Sequence, residues 1–429
     1  MKKHKITAMI LAATLSLSLL ASCGGGDGTT KPAGDEEVTI RVTLWDYSNL
    51  AYYKTIFDAF KVANPKVNVD VVEFAADEYD NTIVTQLAGK QDFDVVFTKG
   101  TPALSALIEQ GHILALNDLI DNDTAFDKGK YLGLIDQLAL NDKTYGVPFR
   151  KDNNLIYYNK TLFDQAGVAY PEDGMTMEEY HALAAKMTTG EGNDKVYGAH
   201  VHTWPSNVYN FARRVEAFNF TDPSTYKNLI PYYEEVLAMQ EEGVIQDYGS
   251  LSASKIHYSG VMYNQQAAML QIGTWFTNML AENVTDFDWG VCSLPNVDGA
   301  GNENAIGAVT PVSIGGYGKY NDQAWEFIKY ACGEEGAAVL AGAGIVPGYS
   351  SDKINAIFDD LPNTKPNAPE GLSKYLDLEK YVVEQPMHAK GKAIDTIINE
   401  QHSAIMTKSV SVEEGVQGMF DRVTELLNG

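Results

Sequence analysis

The stretch TYGVPFRKDNNLIYYNK, Thr144–Lys160, decides how the chain is divided. Tyr145, Val147 and Phe149 alternate with Gly146, Pro148 and Arg150, which is the period-two pattern of a short strand. Pro148 has no N–H to give to a ladder, so that strand belongs at the edge of its sheet. Five polar residues follow in a row, Arg150, Lys151, Asp152, Asn153 and Asn154. Leu155 to Tyr158 then resumes as a buried strand, and Asn159 caps a helix carrying Leu162 and Phe163. A polar knot between two buried strands is a poor core element. It suits a chain leaving one lobe for another along a cleft wall, where donors and acceptors meet a ligand; a surface loop is the alternative.

Working outward, the N-terminal side reads strand, helix, strand, helix, strand, helix. Thr39 to Trp45 is a strand, Tyr53, Ile56, Phe57 and Phe60 recur at helical spacing, and Val67, Val69 and Val71 alternate. Tyr79, Ile83 and Leu87 mark a second helix, Phe93 to Phe97 a third strand, and Thr101 with Pro102 a capped helix start. This order predicts a parallel sheet with helices on both faces. No glycine fingerprint follows the first strand, so a Rossmann cofactor site is not expected, nor any other cofactor.

Beyond Lys160 the alternation resumes as a second α/β lobe. Thr176 and Glu179 form a capping box, Val196–Val201, Ala267–Ile272 and Trp289–Leu294 read as strands, and Ile306–Ile314 as one further strand ending in Gly315 and Gly316. From Ser373 onward the pattern is mostly helical, with a last helix capped by Ser411 and Glu414. The expected organisation is one lobe from 38–150 plus about 308–360, and a second from about 151–307 plus 361–429.

The N-terminus differs in kind. Lys2, Lys3 and Lys5 precede an apolar stretch, Ile6 to Leu20, too short for a comfortable membrane span, and Leu20-Ala21-Ser22-Cys23 follows. Residues 1–22 read as a signal peptide and 23–37 as a Gly-, Thr- and Asp-rich tether. The chain of 429 residues is 45% hydrophobic, which suits two or more globular domains, and its net charge is −25. Removal of the leader leaves 29 basic against 57 acidic residues, a net of −28. That balance excludes nucleic acid and electrostatic adhesion to anionic lipid as partners. With Cys23 lipidated, Cys292 and Cys332 remain; they could pair outside the membrane, but two buried free thiols are expected rather than a disulfide framework.

Several motifs in order carry a resemblance: the lipobox ending at Cys23, VTLWD at Val42–Asp46, AFKVANPKVNVDVV at Ala59–Val72 and FDVVFTKG at Phe93–Gly100. YGVPF, LIYYNKTLFDQAGV at Leu155–Val168, AAMLQIGTW at Ala267–Trp275 and the GGYGKYNDQAWEFIKY segment complete it. Over nearly the whole mature chain it resembles the extracellular solute-binding proteins (family 1) of ATP-binding-cassette importers, in the carbohydrate branch similar to maltose-binding protein. The resemblance implies a two-lobed periplasmic-binding-protein-like (type II) α/β fold with a multi-strand hinge and an interlobe ligand cleft. It also implies a non-enzymatic, monomeric bacterial lipoprotein, anchored outside the membrane by a lipid on Cys23. Such a receptor would capture a carbohydrate, an oligosaccharide, and deliver it to permease subunits.

Trp45 and Trp275 end strands and Trp204 closely follows one, where ligands of open α/β sheets bind; an indole there offers an apolar face to a pyranose. Trp289 and Trp325 read as core. By resemblance, Asp46, Lys99, Arg150 and Asp152 fall where the family places polar contacts, with Asp80 and Asn153 as further candidates; a solvated surface role is the alternative for each. Arg150 and Lys151 side by side would also suit an acidic sugar. His200 and His202 share a strand face but lack further ligands, so no metal site is expected. The rival readings are a surface glycoside hydrolase using Asp46 and Asp152 as its two carboxyls, and a receptor for a non-sugar polar solute.

Overall fold

In the computed structural model the described residues are 37–429, except 297, 299–303, 366, 377 and 379. The expected leader and the lipidation site Cys23 lie outside them. The apolar run Val38–Trp45 forms β1 and lies parallel to β2 (Val67–Phe74), from Val38 opposite Val67 to Trp45 opposite Phe74. β3 (Val95–Phe97) pairs parallel on its other side. The intervening helices Ala51–Ala63 and Tyr79–Ala88 bury Tyr53, Ile56 and Phe60, and Tyr79, Ile83 and Leu87, so the helical spacing of the sequence is the packed face.

A small hairpin, β4 (Ala139–Leu140) and β5 (Lys143–Thr144), leads into β6 (Val147–Lys151). β12 (Val309–Ile314) returns from far along the chain and lies antiparallel between β3 and β6, giving the order β2-β1-β3-β12-β6. Pro148 is therefore on an edge strand, as its missing N–H requires. Pro311 lies in an inner strand, and the ladder to β6 shifts register between Thr310 and Pro311 to accommodate it. The sheet is mixed rather than wholly parallel, because the returning strand runs the other way.

Only Asp152 and Asn153 separate β6 from β7 (Asn154–Asn159), which already belongs to a second sheet. With β8 (Tyr197–His200), β9 (Ala267–Gly273) and β10 (Trp289–Ser293) its order is β10-β7-β9-β8. The Asn159 side chain accepts the Leu162 N–H and starts the next helix. Each sheet has its own core: Tyr53, Phe97, Phe149 and Phe327 around the first, Phe163, Tyr233, Met269 and Met419 around the second. Together, residues 37–429 form one compact unit built as two α/β lobes.

Three details differ from the sequence reading. Ile306–Ile314 is two strands, because the chain changes sheets at Ala308: β11 (Asn304–Gly307) pairs with β13 (Lys380–Val383) before β12 enters the first sheet. β13 itself replaces part of the expected helical region. Thr101 is a helical residue, not a cap, and its hydroxyl donates to the Gln385 carbonyl instead. Trp289 and Trp325 are buried, as are the free thiols Cys292 and Cys332. No helix among the described residues is long and apolar enough to cross a membrane.

The joint between sheets is tight. The Asp152 N–H donates to the Ala308 carbonyl at 2.9 Å, and the Tyr381 hydroxyl donates to the carbonyls of Asp152 and Ala308 at 2.7 and 3.0 Å. A Cβ on Gly307 would stand 1.9 Å from the Asp152 oxygen. Gly307→Ala should therefore push the two crossing strands apart and cost about 1–3 kcal/mol, as overpacking does; thermal unfolding that matches wild type would refute this role for the glycine.

Candidate functional site

A cavity of about 690 Å³ opens beside this joint. The carboxyl ends of β1 and β3, the inner edge of β6, and the segments after β8 and β9 all reach it, as expected for ligand sites of such sheets. Of the residues singled out in the sequence, Trp45, Asp46, Lys99, Arg150, Asp152, Trp204 and Trp275 line it together.

One wall is aromatic. A Cβ on Gly273 would meet the Trp275 ring at 1.8 Å, so the glycine lets the indole fold back over the strand end. The Trp275 Nε1–H donates to the Tyr258 hydroxyl at 3.0 Å, which fixes the ring by its edge. The Trp204 ring, 38% exposed, stands 6.2 Å from Trp275 and 5.6 Å from Tyr258. His202 packs edge-on against Trp204 at 4.6 Å, and burial, then His257, hold its pKa down to about 4, so it is a neutral support at pH 7. It also meets His200, ring nitrogen to ring nitrogen at 3.3 Å; no cluster of three metal-ligating side chains occurs among the described residues.

The floor is polar. Asp46 follows β1 with φ +55°, the left-handed region that Asp tolerates better than most, and its carbonyl accepts the N–H groups of Asn49 and Leu50. Lys99 stands 5.4 Å from the Trp45 ring and donates to the Ala76 carbonyl. The Arg150 guanidinium donates through Nε to Thr310 Oγ1 at 3.1 Å and reaches the Tyr52 hydroxyl at 3.5 Å. Asp152 is 3% exposed, and its Oδ1 has no hydrogen-bond partner among the described residues. Burial pushes its pKa up to about 6, against the opposing pull of Arg150.

Three residues fall elsewhere than expected. Asn153 does not line the cavity. Its N–H donates to Thr274 Oγ1, its side-chain amide donates to the Tyr375 carbonyl, and its side-chain oxygen accepts the Ile306 N–H, so it fastens the joint. Asp80 lines a side pocket of about 140 Å³ that shares Lys99, Glu384, Gln385 and Asp395 with the main cavity. Lys151 points away from the cleft, its ammonium over the Tyr381 ring at 5.5 Å, because neighbours on a strand face opposite sides.

Sequence reading missed Tyr52, Tyr258 and Glu384. Glu384 immediately follows β13, so the same strand-end rule would have found it had KYVV been read as a strand. Its carboxylate accepts from the Asn210 amide at 3.1 Å, and its pKa is pushed up to about 7 by burial first, then by Asp152 and Asp395.

The fold and the cleft define a two-lobed ligand-binding protein. Residues 46–338 match the family model of bacterial extracellular solute-binding proteins, and the chain belongs to that family. A solved sugar transporter of Rhizobium etli in an open conformation superposes with a TM-score of 0.76 at 32% identity, covering 90% of this chain and 99% of that one. An ABC substrate-binding protein of Listeria monocytogenes in complex with cycloalternan gives 0.75 at 19% identity, over 92% and 100%. The multiple sugar-binding protein of Streptococcus mutans is 23% identical over 320 residues, 66% of this chain and 68% of its own.

The raised Glu384 pKa has a stability consequence. Because the folded value lies above the unfolded one, the buried carboxylate costs stability as pH rises from about 4.5 to about 7. Glu384→Gln keeps an oxygen for Asn210 and removes that cost. It should stabilise the protein by on the order of 3 kcal/mol at pH 8 and by nothing at pH 4. Denaturant unfolding at both pH values checks this, and an equal gain at both would contradict it.

Proposed function

We propose that this chain is a lipid-anchored, extracytoplasmic receptor that captures a carbohydrate, an oligosaccharide, between its lobes. It hands the sugar to the membrane permease of an ABC importer, acts as a monomer and does not cleave its ligand. The observation that carries this reading is the pairing of an aromatic wall, Trp204, Trp275 and Tyr258, with a polar floor built around Arg150 and Asp152 in one cavity. Indole faces suit the C–H faces of sugar rings, and carboxylate and guanidinium groups suit their hydroxyls. The names of the similar proteins, a sugar transporter and a multiple sugar-binding protein among them, point the same way. The lipobox-like Leu20–Cys23 supports the anchor and the family supports the permease partnership.

On this reading the lobes are 38–150 plus about 308–360, and about 151–307 plus 361–429. Contacts made by both at once exist only when the cleft is shut, so binding energy shifts the hinge toward closure.

Calorimetric titration of residues 37–429 against mono- and oligosaccharides tests the proposal, with the sugar recovered and checked afterwards. Saturable binding with intact sugar supports it. Cleavage would make the protein a hydrolase, and silence across the panel would point to a non-sugar solute. Trp275→Ala should weaken binding roughly 10- to 100-fold, the size of an aromatic anchor, in a protein that remains folded; unaltered affinity removes Trp275 from the site.

A further inference from the structure

The cleft floor holds more acid than base, and one of its acids, Asp152, has a buried oxygen without a partner among the described residues. The main cavity is lined by the carboxyl groups of Asp46, Asp152, Glu384 and Asp395 against the cations Lys99 and Arg150. Both cations are engaged by the protein, Lys99 with the Ala76 carbonyl and the Trp45 ring, Arg150 with Thr310 and Tyr52 beside Asp152. Asp152 Oδ1, in contrast, is buried with no partner among the described residues. The side pocket extends the pattern. It adds Asp80, whose Oδ1 is also buried without a partner, and Lys392, which lies 3.3 Å from Asp395. Strand alternation takes Lys151 out of the balance altogether.

A buried acceptor without a donor is costly until something donates to it. A hydroxyl does so without adding charge. A carboxylate has no proton to give, and it brings a like charge into a site of low dielectric, where repulsion is felt most. Resting on the sugar-receptor reading, we infer that the cleft takes a neutral, hydroxyl-rich sugar and rejects uronic acids. Asp152 accepts a ligand hydroxyl on the floor, and Glu384 sets the charge where the main cavity meets the side pocket.

Matched pairs test this: glucose with glucuronate, galactose with galacturonate, mannose with mannuronate, and the corresponding oligosaccharides, each titrated into residues 37–429 at pH 7.5 and pH 5. Every neutral sugar that binds should bind at least tenfold more tightly than its uronate at pH 7.5. The gap should narrow at pH 5, as carboxyl groups on the floor take up protons, and narrow at pH 7.5 in Asp152→Asn and Glu384→Gln. A uronate that binds as tightly as its neutral partner overturns the inference, as does a gap that neither variant changes. If no member of any pair binds, the sugar-receptor reading itself falls, and this inference with it, so the two failures are told apart.

Discussion

The hydrogen bond from the Asp152 N–H to the Ala308 carbonyl, 2.9 Å long, joins two strands at the point where each changes sheet. Everything about the cleft follows from how close those strands must come. Gly307 is required because a side chain would strike the Asp152 carbonyl. The Tyr381 hydroxyl brackets both carbonyls, and Asn153 ties the crossing to Thr274, Tyr375 and Ile306. Backbone groups at a crossing lose their ladder partners, and this set of bonds replaces them. The same backbone path sets Arg150 on one side of the joint and Asn154 on the other, both facing the cavity.

Burying so many polar side chains at a joint is worthwhile only if they are satisfied, and most are. Asn154 donates to the Ile306 carbonyl at 3.2 Å, and Arg150 has Thr310 and Tyr52. Asp152 is the exception, with an orphan oxygen and a pKa raised to about 6. A group held in that condition by its surroundings costs folding stability, and a perturbed carboxyl in a cleft is a candidate for function. The nearby Glu384, raised to about 7, is a second such group on a different strand end.

Much of this was legible in the residues. Local chemistry survives folding, so the edge position of Pro148, the Asn159 cap and the capping boxes at Thr176 and Ser411 could be read directly. Trp45 and Trp275, picked out by strand-end position, and Asp46 and Lys99, picked out by resemblance, all line the cavity. The failures have a common cause. The break at Ala308 leaves no trace in an apolar run that is buried on both sides of it, and KYVV is too short to stand out among helices. Asn153 and Asp152 are neighbours of like polarity, and which of the two faces a ligand depends on partners more than 100 residues away.

The chemistry of the cavity is divided between the two sheets. Trp204, Tyr258 and Trp275 come from segments that follow or flank β8 and β9 of the second sheet. Asp46, Tyr52, Lys99, Arg150 and Thr310 all belong to the first sheet or its helices. The first side adds the Trp45 ring to these polar groups, and the second adds Asn154 and the Tyr258 hydroxyl to its rings. Residues from both sheets therefore meet across one cavity, with aromatic rings and hydrogen-bonding groups lining it together. The short joint at Asp152 and Ala308 brings the two sheets together while each keeps its own core.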